Sequence, residues 1–343
     1  ATGALVPGAA ATVIAVTATT VSATVTGTGT YCIVRVTNQD GTYFDFSAIG
    51  VTNASLNLTG FKAGSNLLVT RRALAAVAGR PTAVTRFVYA VGGDKGADNT
   101  PLASVESAQS GLDGKLLAFT TQAQALPKAL SFLGVVNIGR FLYAVGGFDG
   151  TAAVKDVYRA ELLNPLLTPQ FTNVDFTYNP TIGLGPGVYT YRIAAVLSAA
   201  DPNNPGGETL TGDSFPIQVP AVANEGGGLI QVTLYWKPFA NAQKYRIYRS
   251  PKVNDPAGQE RLLAEVNDSG MMLQSYLDTG SPTPSGLAPL PIGATGSWRL
   301  LTTAPLLTAR LGAGVAAAVD PTDATKWYLY AAGGNSGTPS APT

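Results

Sequence analysis

Carboxylates are the main candidates for chemistry in this chain, because its 343 residues include no histidine. Without imidazole, Ser-His-Asp and Cys-His catalysis and histidine-ligated zinc or copper sites are excluded. The one cysteine, Cys32, lies in "TYCIVRV", a pattern that indicates a small apolar residue of a strand rather than a reactive thiol.

Four aspartates lie in turn-like sequence between apolar segments: Asp94, Asp98, Asp113 and Asp149. Two carboxylates are enough for glycoside hydrolysis, so a carbohydrate-active enzyme is one interpretation. Aspartate is also a common turn residue, particularly before glycine. Because these aspartates occur singly along the chain, we favour the turn role and predict no catalytic residue.

Two stretches offer oxygen atoms that a calcium ion could use, "DKGADN" (Asp94 to Asn99) and "DPNNPGGE" (Asp201 to Glu208). Neither has the alternate-residue ligand spacing of a dedicated calcium loop. The glycine-rich "EGGGL" (Glu225 to Leu229) is not followed by a helix or by Lys-Ser/Thr, so it does not predict a phosphate site. We therefore predict no metal and no cofactor.

The composition indicates a surface that other molecules cover. Charged residues make up 13% of the chain, roughly half the usual share. The net charge is +1 without a basic cluster, so nucleic acid is an unsuitable partner. The sequence has no uninterrupted run of 18 or more apolar residues, so it does not predict a membrane-spanning helix. The apolar start of the chain has no basic residue before Arg35, which argues against a secretory signal.

The apolar residues alternate with polar ones or form short β-branched and aromatic blocks such as "VYTYRIAAV", "IQVTLYW" and "YRIYRS". Glycine, proline, asparagine and aspartate separate these blocks at short intervals. This pattern is typical of strands joined by turns, and helix signals are nearly absent. The sequence therefore predicts an all-β protein.

One motif occurs three times: "RFVYAVGGDKG" from Arg86, "RFLYAVGGFDG" from Arg140 and "WYLYAAGGNSG" from Trp327. We call the segments around these motifs the first, second and third repeats. The first and second motifs are 54 residues apart and the second and third are 187 apart, a surplus of 133 residues. A period near 50 with a diglycine after an apolar strand indicates a repeated sheet.

The repeats resemble the kelch repeat of secreted bacterial and viral proteins, in which each repeat is a four-stranded blade of a β-propeller. The resemblance rests on the diglycines, on "LASVESA", on "LDGKLLAF" and on the Leu-Pro before the second repeat. It implies that the glycines let backbones crowd together and adopt positive φ. The structural residues it implies are Gly92, Gly93, Gly146, Gly147, Gly333 and Gly334, with Trp298, and more weakly Phe119, as the blade tryptophan.

The chain departs from the kelch pattern at Ala108 and Ala160, where the family commonly has tyrosine. Some kelch propellers are copper oxidases of the galactose oxidase kind, which depend on histidine ligands. This chain has no histidine, so the resemblance implies the fold and not the copper oxidase activity.

The surplus between the second and third motifs resembles a fibronectin-type-III-like sandwich, with Trp236 in "TLYW" as the core tryptophan. We predict that this domain, residues 166–292, is inserted into the second blade, since surface loops tolerate insertions. Tyr189, Tyr191 and Tyr248 could line a sugar site, but alternating strands favour core packing for them.

The predicted organisation is an N-terminal β-rich segment at 1–66, blades at 67–165, the inserted sandwich at 166–292 and a further blade at 293–343. A propeller normally needs four to eight blades. The three visible blades are therefore too few, and we expect either that the sequence is a fragment or that residues 1–61 and a partner supply the rest.

These features predict a non-enzymatic structural or binding subunit of an extracellular assembly, either a phage virion protein or a bacterial surface filament or adhesin. The expected partners are other protein subunits, with cell-surface carbohydrate as a further possibility. The alternative is a carbohydrate-active enzyme that uses blade-end carboxylates. Acceptor triplets for N-glycosylation begin at Asn53, Asn57 and Asn267 and leave modification open.

Overall fold

The computed structural model describes residues 64–96, 100–111, 114–221 and 228–338 in full, and residues 2–3, 10–16, 21–26, 29–37 and 43–51 as backbone strands. Every regular element in these residues is a β-strand, and every strand pair is antiparallel, which confirms the prediction of an all-β protein. Among the described residues, no helix is long and apolar enough to span a membrane. The chain divides into two compact units, Ala1–Ala63 and Gly64–Thr343.

The described residues of the N-terminal unit form five strands in two small sheets, as the Thr- and Val-rich alternation predicts. One sheet has the order β1-β4-β5 and the other pairs β2 with β3. The strands are β1 (Thr2–Gly3), β2 (Ala10–Val16), β3 (Val21–Thr26), β4 (Gly29–Thr37) and β5 (Tyr43–Val51). The side chain of Cys32 and the glycosylation triplets at Asn53 and Asn57 lie outside the described residues.

The first repeat forms a four-stranded sheet, and the second repeat begins another. The strands of this part of the chain are β6 (Ala75–Gly79), β7 (Arg86–Val91), β8 (Val105–Ser110), β9 (Thr120–Thr121), β10 (Gly134–Ile138), β11 (Phe141–Val145) and β12 (Val157–Glu161). The first sheet has the order β6-β7-β8-β9, so consecutive strands are neighbours.

Two further sheets follow between residues 171 and 278. Their strands are β13 (Phe171–Asn179), β14 (Gly187–Leu197), β15 (Phe215–Val219), β16 (Leu229–Trp236), β17 (Ala242–Arg249), β18 (Arg261–Asn267) and β19 (Gln274–Asp278). The sheet orders are β13-β16-β19 and β15-β14-β17-β18. The inward residues of both sheets share one core that contains Trp236, which is fully buried and packs edge-on against Tyr245. Alternate positions of β16 are buried, as the period-two pattern predicts.

The chain then returns to the sheet that it left at β12. The last strands are β20 (Arg299–Leu300), β21 (Gly314–Val319) and β22 (Trp327–Ala332). Strand β20 pairs with β12 and completes a sheet of order β10-β11-β12-β20. The third repeat is the hairpin β21–β22.

The first and second repeats share a core in which Tyr89, Leu142 and Trp298 are buried. Phe119 is buried on the other side of the first sheet, in a small cluster with Ala90 and Ala108. Trp298 reaches the shared core although it lies more than a hundred residues after β12 in sequence, because β20 returns to β12.

Candidate interaction surface

The six glycines of the repeated motif have positive φ in the structure. The angles are 62° and 94° at Gly92 and Gly93, 60° and 115° at Gly146 and Gly147, and 67° and 84° at Gly333 and Gly334. L-residues with a side chain rarely adopt this conformation. The motif therefore turns the chain in the same way at the end of β7, β11 and β22.

The second glycine of the first and of the second motif donates a hydrogen bond to the following repeat. Gly93 N donates to Leu130 O at 2.9 Å, and Gly147 N donates to Arg310 O at 2.8 Å. Leu130 precedes β10 and Arg310 precedes β21, so both acceptors occupy the same place in their repeats. This backbone bond joins the first repeat to the second and the second to the third.

A second bond runs the opposite way across each junction. Phe132 N donates to Ala73 O at 2.8 Å, and Gly312 N donates to Phe132 O at 2.8 Å. Ala73, Phe132 and Gly312 each lie two residues before the first strand of their repeat, and all three have positive φ. Backbone hydrogen bonds of both directions therefore cross each junction.

The first glycine of the motif has no room for a side chain where a following repeat is present. A Cβ at Gly92 would overlap the Leu130 carbonyl oxygen, and a Cβ at Gly146 would overlap the Arg310 carbonyl oxygen. A Cβ at Gly333 would have no atom of the described residues within 4 Å. The diglycine of the third repeat therefore has the same backbone conformation as the other two, but no described residue is in contact with Gly333 at the position that Leu130 O and Arg310 O occupy.

The junction groups of the third repeat are also unpaired. In the part of the chain that the structure describes, Gly334 N has no acceptor and Gly312 O has no donor. Arg310 Nη1 donates to Gly333 O at 2.6 Å, just as Arg71 Nη1 donates to Gly92 O at 2.7 Å in the first repeat. The arginine thus holds the diglycine in the same place in both repeats.

Exposure of the motif aromatics rises along the series of repeats. Tyr89 is 0% exposed, Tyr143 is half-buried and Tyr330 is 54% exposed. At the position two residues earlier, Phe87 is 5% exposed and Tyr328 is 49% exposed. The side of the hairpin that corresponds to the packed side of the first sheet is therefore open.

The outer edge of the third hairpin is open as well. Strand β7 pairs with β8 and strand β11 pairs with β12 along their lengths. Within the described ranges, β22 pairs only with β21. An unpaired strand edge with apolar side chains is a ready template for another strand. We define the open surface as β22, Gly333, Gly334 and Gly312.

Of the four predicted turn carboxylates, the structure describes Asp94 and Asp149, and each has its own hydrogen-bond partners. Asp94 is buried and accepts hydrogen bonds from Arg72 Nε at 2.8 Å and Gly96 N at 2.9 Å. Asp149 accepts from the backbone of the turn that follows it, and these hydrogen bonds lower its pKa below the usual value. Asp98 and Asp113 lie outside the described residues. Each described carboxylate therefore closes its own turn.

A polar cleft of about 180 Å³ lies between the second sheet and the loop after β14. Glu161 lines it, and burial raises the pKa of that carboxyl despite Arg140 Nε at 3.3 Å. Asp201 also lines it, but its oxygens accept from Asn203 N, Asn204 N and Asn241 Nδ2. Sequence reasoning did not find this cleft, because strand and loop are distant in the chain.

The other candidate residues have structural roles. Tyr189, Tyr191 and Tyr248 are buried; Tyr191 donates to Asp278 at 2.8 Å and Tyr248 donates to Glu208. In the ranges that the structure covers, no three His, Cys, Asp or Glu side chains are grouped to hold a metal ion. Residues 225–227 of the glycine-rich stretch lie outside those ranges.

The comparisons with known proteins place this chain in no family. No protein-family model matches it, and no curated protein is similar to it at a significant level.

Proposed function

We propose that this protein is a non-enzymatic structural and binding subunit of an extracellular assembly, either a phage virion component (tail, fibre or capsid decoration) or a bacterial surface filament or adhesin. The observation that carries the proposal is the open surface of the third repeat. On one hairpin it combines exposed aromatic side chains with a strand edge and junction groups that have no partner among the described residues. Such a surface is suited to another protein subunit.

In this proposal, the repeats are kelch-like propeller blades. Three features support that interpretation. The first and second repeats are four-stranded sheets in which β20 supplies the last strand of the second. The diglycines have positive φ in every repeat. The backbone of the first repeat is bonded to the start of the second, and that of the second to the start of the third, which is consistent with adjacent blades.

The two sheets between residues 171 and 278 are a fibronectin-type-III-like sandwich inserted into the second blade. Their shared core around Trp236 supports a sandwich. Arg249 and Asp278 form a buried ion pair, with Arg249 Nη1 at 2.7 Å from Asp278 Oδ1, and this pair ties strand β17 to the end of β19. The inserted segment therefore has its own apolar core and its own buried ion pair.

The binding role is favoured over a carbohydrate-active enzyme by the way in which the carboxylates are used. Glu161 in the polar cleft has the raised pKa expected of a general acid. A glycosidase needs a second carboxylate that is free to act as base or nucleophile. Asp201 holds its own loop through three hydrogen bonds instead.

Light scattering on the full-length protein tests this proposal. We expect association that increases with concentration and is insensitive to salt, because the open surface is apolar and has few charges. The double variant Tyr328→Ser/Tyr330→Ser should weaken association. The control is Phe176→Ser/Tyr178→Ser, which removes two similarly exposed aromatics from β13. A wild-type protein that stays monomeric at all concentrations, with and without residues 1–30, would contradict an assembly role.

A further inference from the structure

The polar cleft lies where the second sheet meets the loops of the two sheets around Trp236. One wall comes from the second sheet and the segment after β12, and it includes Arg140 and Glu161. The other wall comes from the loop after β14 and the turn between β16 and β17, and it includes Asn203 and Phe239. Small-molecule sites occur preferentially at such boundaries between packed units.

The Glu161 carboxylate lines the cleft and accepts no hydrogen bond from the described residues. Its side chain is only 12% exposed, and Arg140 Nε lies 3.3 Å from its Oε1. Polar groups that folding buries are normally hydrogen-bonded. A molecule with hydroxyl groups in the cleft would supply the donors that this carboxylate lacks.

Other polar groups of the lining are able to contact the same molecule. Asn203 holds its loop through its backbone N, which donates to Asp201 Oδ1 at 2.9 Å, and its side-chain amide has no hydrogen bond to a described residue. Asn164 Oδ1 accepts from Leu166 N at 2.9 Å, which leaves Asn164 Nδ2 without an acceptor among the described residues. The two η nitrogens of Arg140 have no described acceptor either. The cleft therefore contains both donors and acceptors.

Leucine side chains and one aromatic ring add an apolar surface to these groups. Leu163 and Leu210 line the cleft, are buried and form a small cluster with Ala294. Leu167 is 52% exposed and Phe239 is half-buried, and both also line the cleft. An apolar lining with a few polar groups that fix orientation is typical of small-molecule sites. A sugar ring suits this lining, because it has hydroxyl groups around its edge and C–H groups on its faces.

The walls of the cleft are held in place by their own hydrogen bonds. Asp201 accepts from Asn204 N at 2.7 Å and from Asn241 Nδ2 at 2.9 Å, which joins the loop after β14 to the turn after β16. Asn204 Nδ2 donates to Glu208 O at 3.1 Å, and Asn204 Oδ1 accepts from Ser297 N at 2.8 Å, just before β20. Because these bonds fix the walls, little conformational entropy is lost when a ligand binds.

We propose that this cleft binds one neutral sugar ring of a glycan, a function in addition to the subunit contact proposed above. Glu161 accepts hydrogen bonds from the hydroxyl groups of the ring, and the Asn203 amide contacts a further hydroxyl. The volume of about 180 Å³ is below the roughly 300 Å³ at which sites for drug-sized ligands begin, so the cleft holds a single ring.

The charges of the lining favour a neutral ligand. The lining includes one cation, Arg140, and two carboxyls, Glu161 and Asp201. An anionic ligand such as a phosphate or a uronic acid would be repelled by the two carboxyls. An ammonium group at Glu161 would be repelled by the Arg140 guanidinium beside it. A neutral sugar meets neither repulsion.

Saturation-transfer NMR on the full-length protein at neutral pH tests this site. The neutral probes are the methyl glycosides of glucose, galactose, mannose and N-acetylglucosamine. A methyl glucuronoside is the anionic probe and ethanolamine is the cationic probe. We expect at least one neutral glycoside to bind with a Kd on the order of 1 mM, and both charged probes to bind at least about tenfold more weakly.

Two variants and two matched controls locate the bound sugar. Glu161→Gln and Asn203→Ala should each weaken binding of the neutral glycoside at least about threefold, because each removes a hydrogen-bonding group from the cleft. The backbone bond from Asn203 N to Asp201 remains in the second variant. The controls Glu265→Gln and Asn267→Ala change the same residue types at exposed positions of β18 and should bind as the wild type does.

Thermal melting checks that each variant is folded, and either cleft variant decides the test if the other is not. Absence of saturation transfer to every neutral glycoside would overturn the proposal. Tighter binding of a charged probe, or glycoside binding that no folded cleft variant weakens, would overturn it as well. The cleft is separate from the open surface of the third repeat, so each of these results would leave the assembly role intact.

Discussion

The first and third repeats contain nearly the same motif in opposite surroundings. In the first repeat, Tyr89 is fully buried, and its hydroxyl donates to Gly293 O at 2.8 Å. In the third, the equivalent Tyr330 is half exposed. Both motifs form a strand that ends in two glycines of positive φ. The motif therefore determines the strand and its turn, while the following repeat determines whether the strand is buried.

The parts of the molecule also differ in whether they bury their core without a neighbouring repeat. The two sheets around Trp236 bury their own core. The repeats instead bury each other, since Tyr89 of the first repeat packs with Leu142 of the second. The third hairpin has no described neighbour after it, and its aromatic side chains are exposed.

The largest expected effect compares Tyr89→Ala with Tyr330→Ala. Removing Tyr89 leaves a cavity in the shared core and an unsatisfied Gly293 carbonyl, so it should lower the free energy of unfolding by about 3–5 kcal/mol. Removing Tyr330 should change it by less than about 0.5 kcal/mol. Urea denaturation of dilute, monomeric protein measures both values. Equal losses would show that the third hairpin is as well packed as the first.

A smaller difference is expected between Gly92→Ala and Gly333→Ala. Both variants force a side chain into positive φ, at a cost of about 1–2 kcal/mol. Only at Gly92 would the Cβ overlap a carbonyl oxygen, which should cost about 1–3 kcal/mol more. Thermal melting of the monomers should therefore rank Gly92→Ala below Gly333→Ala. The reverse order would mean that the junction between the first two repeats is not tightly closed.

The smallest expected effect is the pH dependence of the free energy of unfolding that Glu161 of the second repeat causes. Burial raises the pKa of Glu161 in the folded protein, so the unfolded chain loses this proton first and wild-type stability falls as pH rises through both values. Glu161→Gln removes that fall, and its stability relative to wild type should increase from below pH 4.5, the ordinary pKa, to neutrality.

Glu265→Gln is the control for this pH effect. Hydrogen bonds from Lys244 and Arg246 lower the pKa of Glu265, so its contribution is present above the ordinary pKa and is lost as pH falls through the lower folded value. This variant should lose stability relative to wild type toward neutrality. Melting curves across the pH range measure both trends, and a common sign would contradict the assignment of the polar cleft.

Local sequence signals predicted the local structure well. Alternation predicted the strands, and the diglycines predicted the positive φ at Gly92 and Gly146. The partners of those glycines were not predictable in the same way, because Leu130 and Arg310 are ordinary residues at very different distances along the chain. Asp94 was expected to serve its turn, and it does, but its burial against Arg72 depends on non-local packing. Glu161 carries no local signal, since the loop that covers it follows β14.

Hydrogen exchange on the full-length protein tests directly whether the third repeat is the binding surface. It is measured at a low concentration and at one where the protein is associated. We expect the amides of Trp327–Ala332 that do not donate to β21, and the amide of Gly334, to exchange quickly in the dilute protein and to become protected on association. Amides of Arg86–Val91 and Gly93 should be protected under both conditions. In the opposite outcome, the outer amides of β22 and the amide of Gly334 still exchange quickly after association, and the sheets around Trp236 become protected instead. That result would show that the third repeat is not the binding surface.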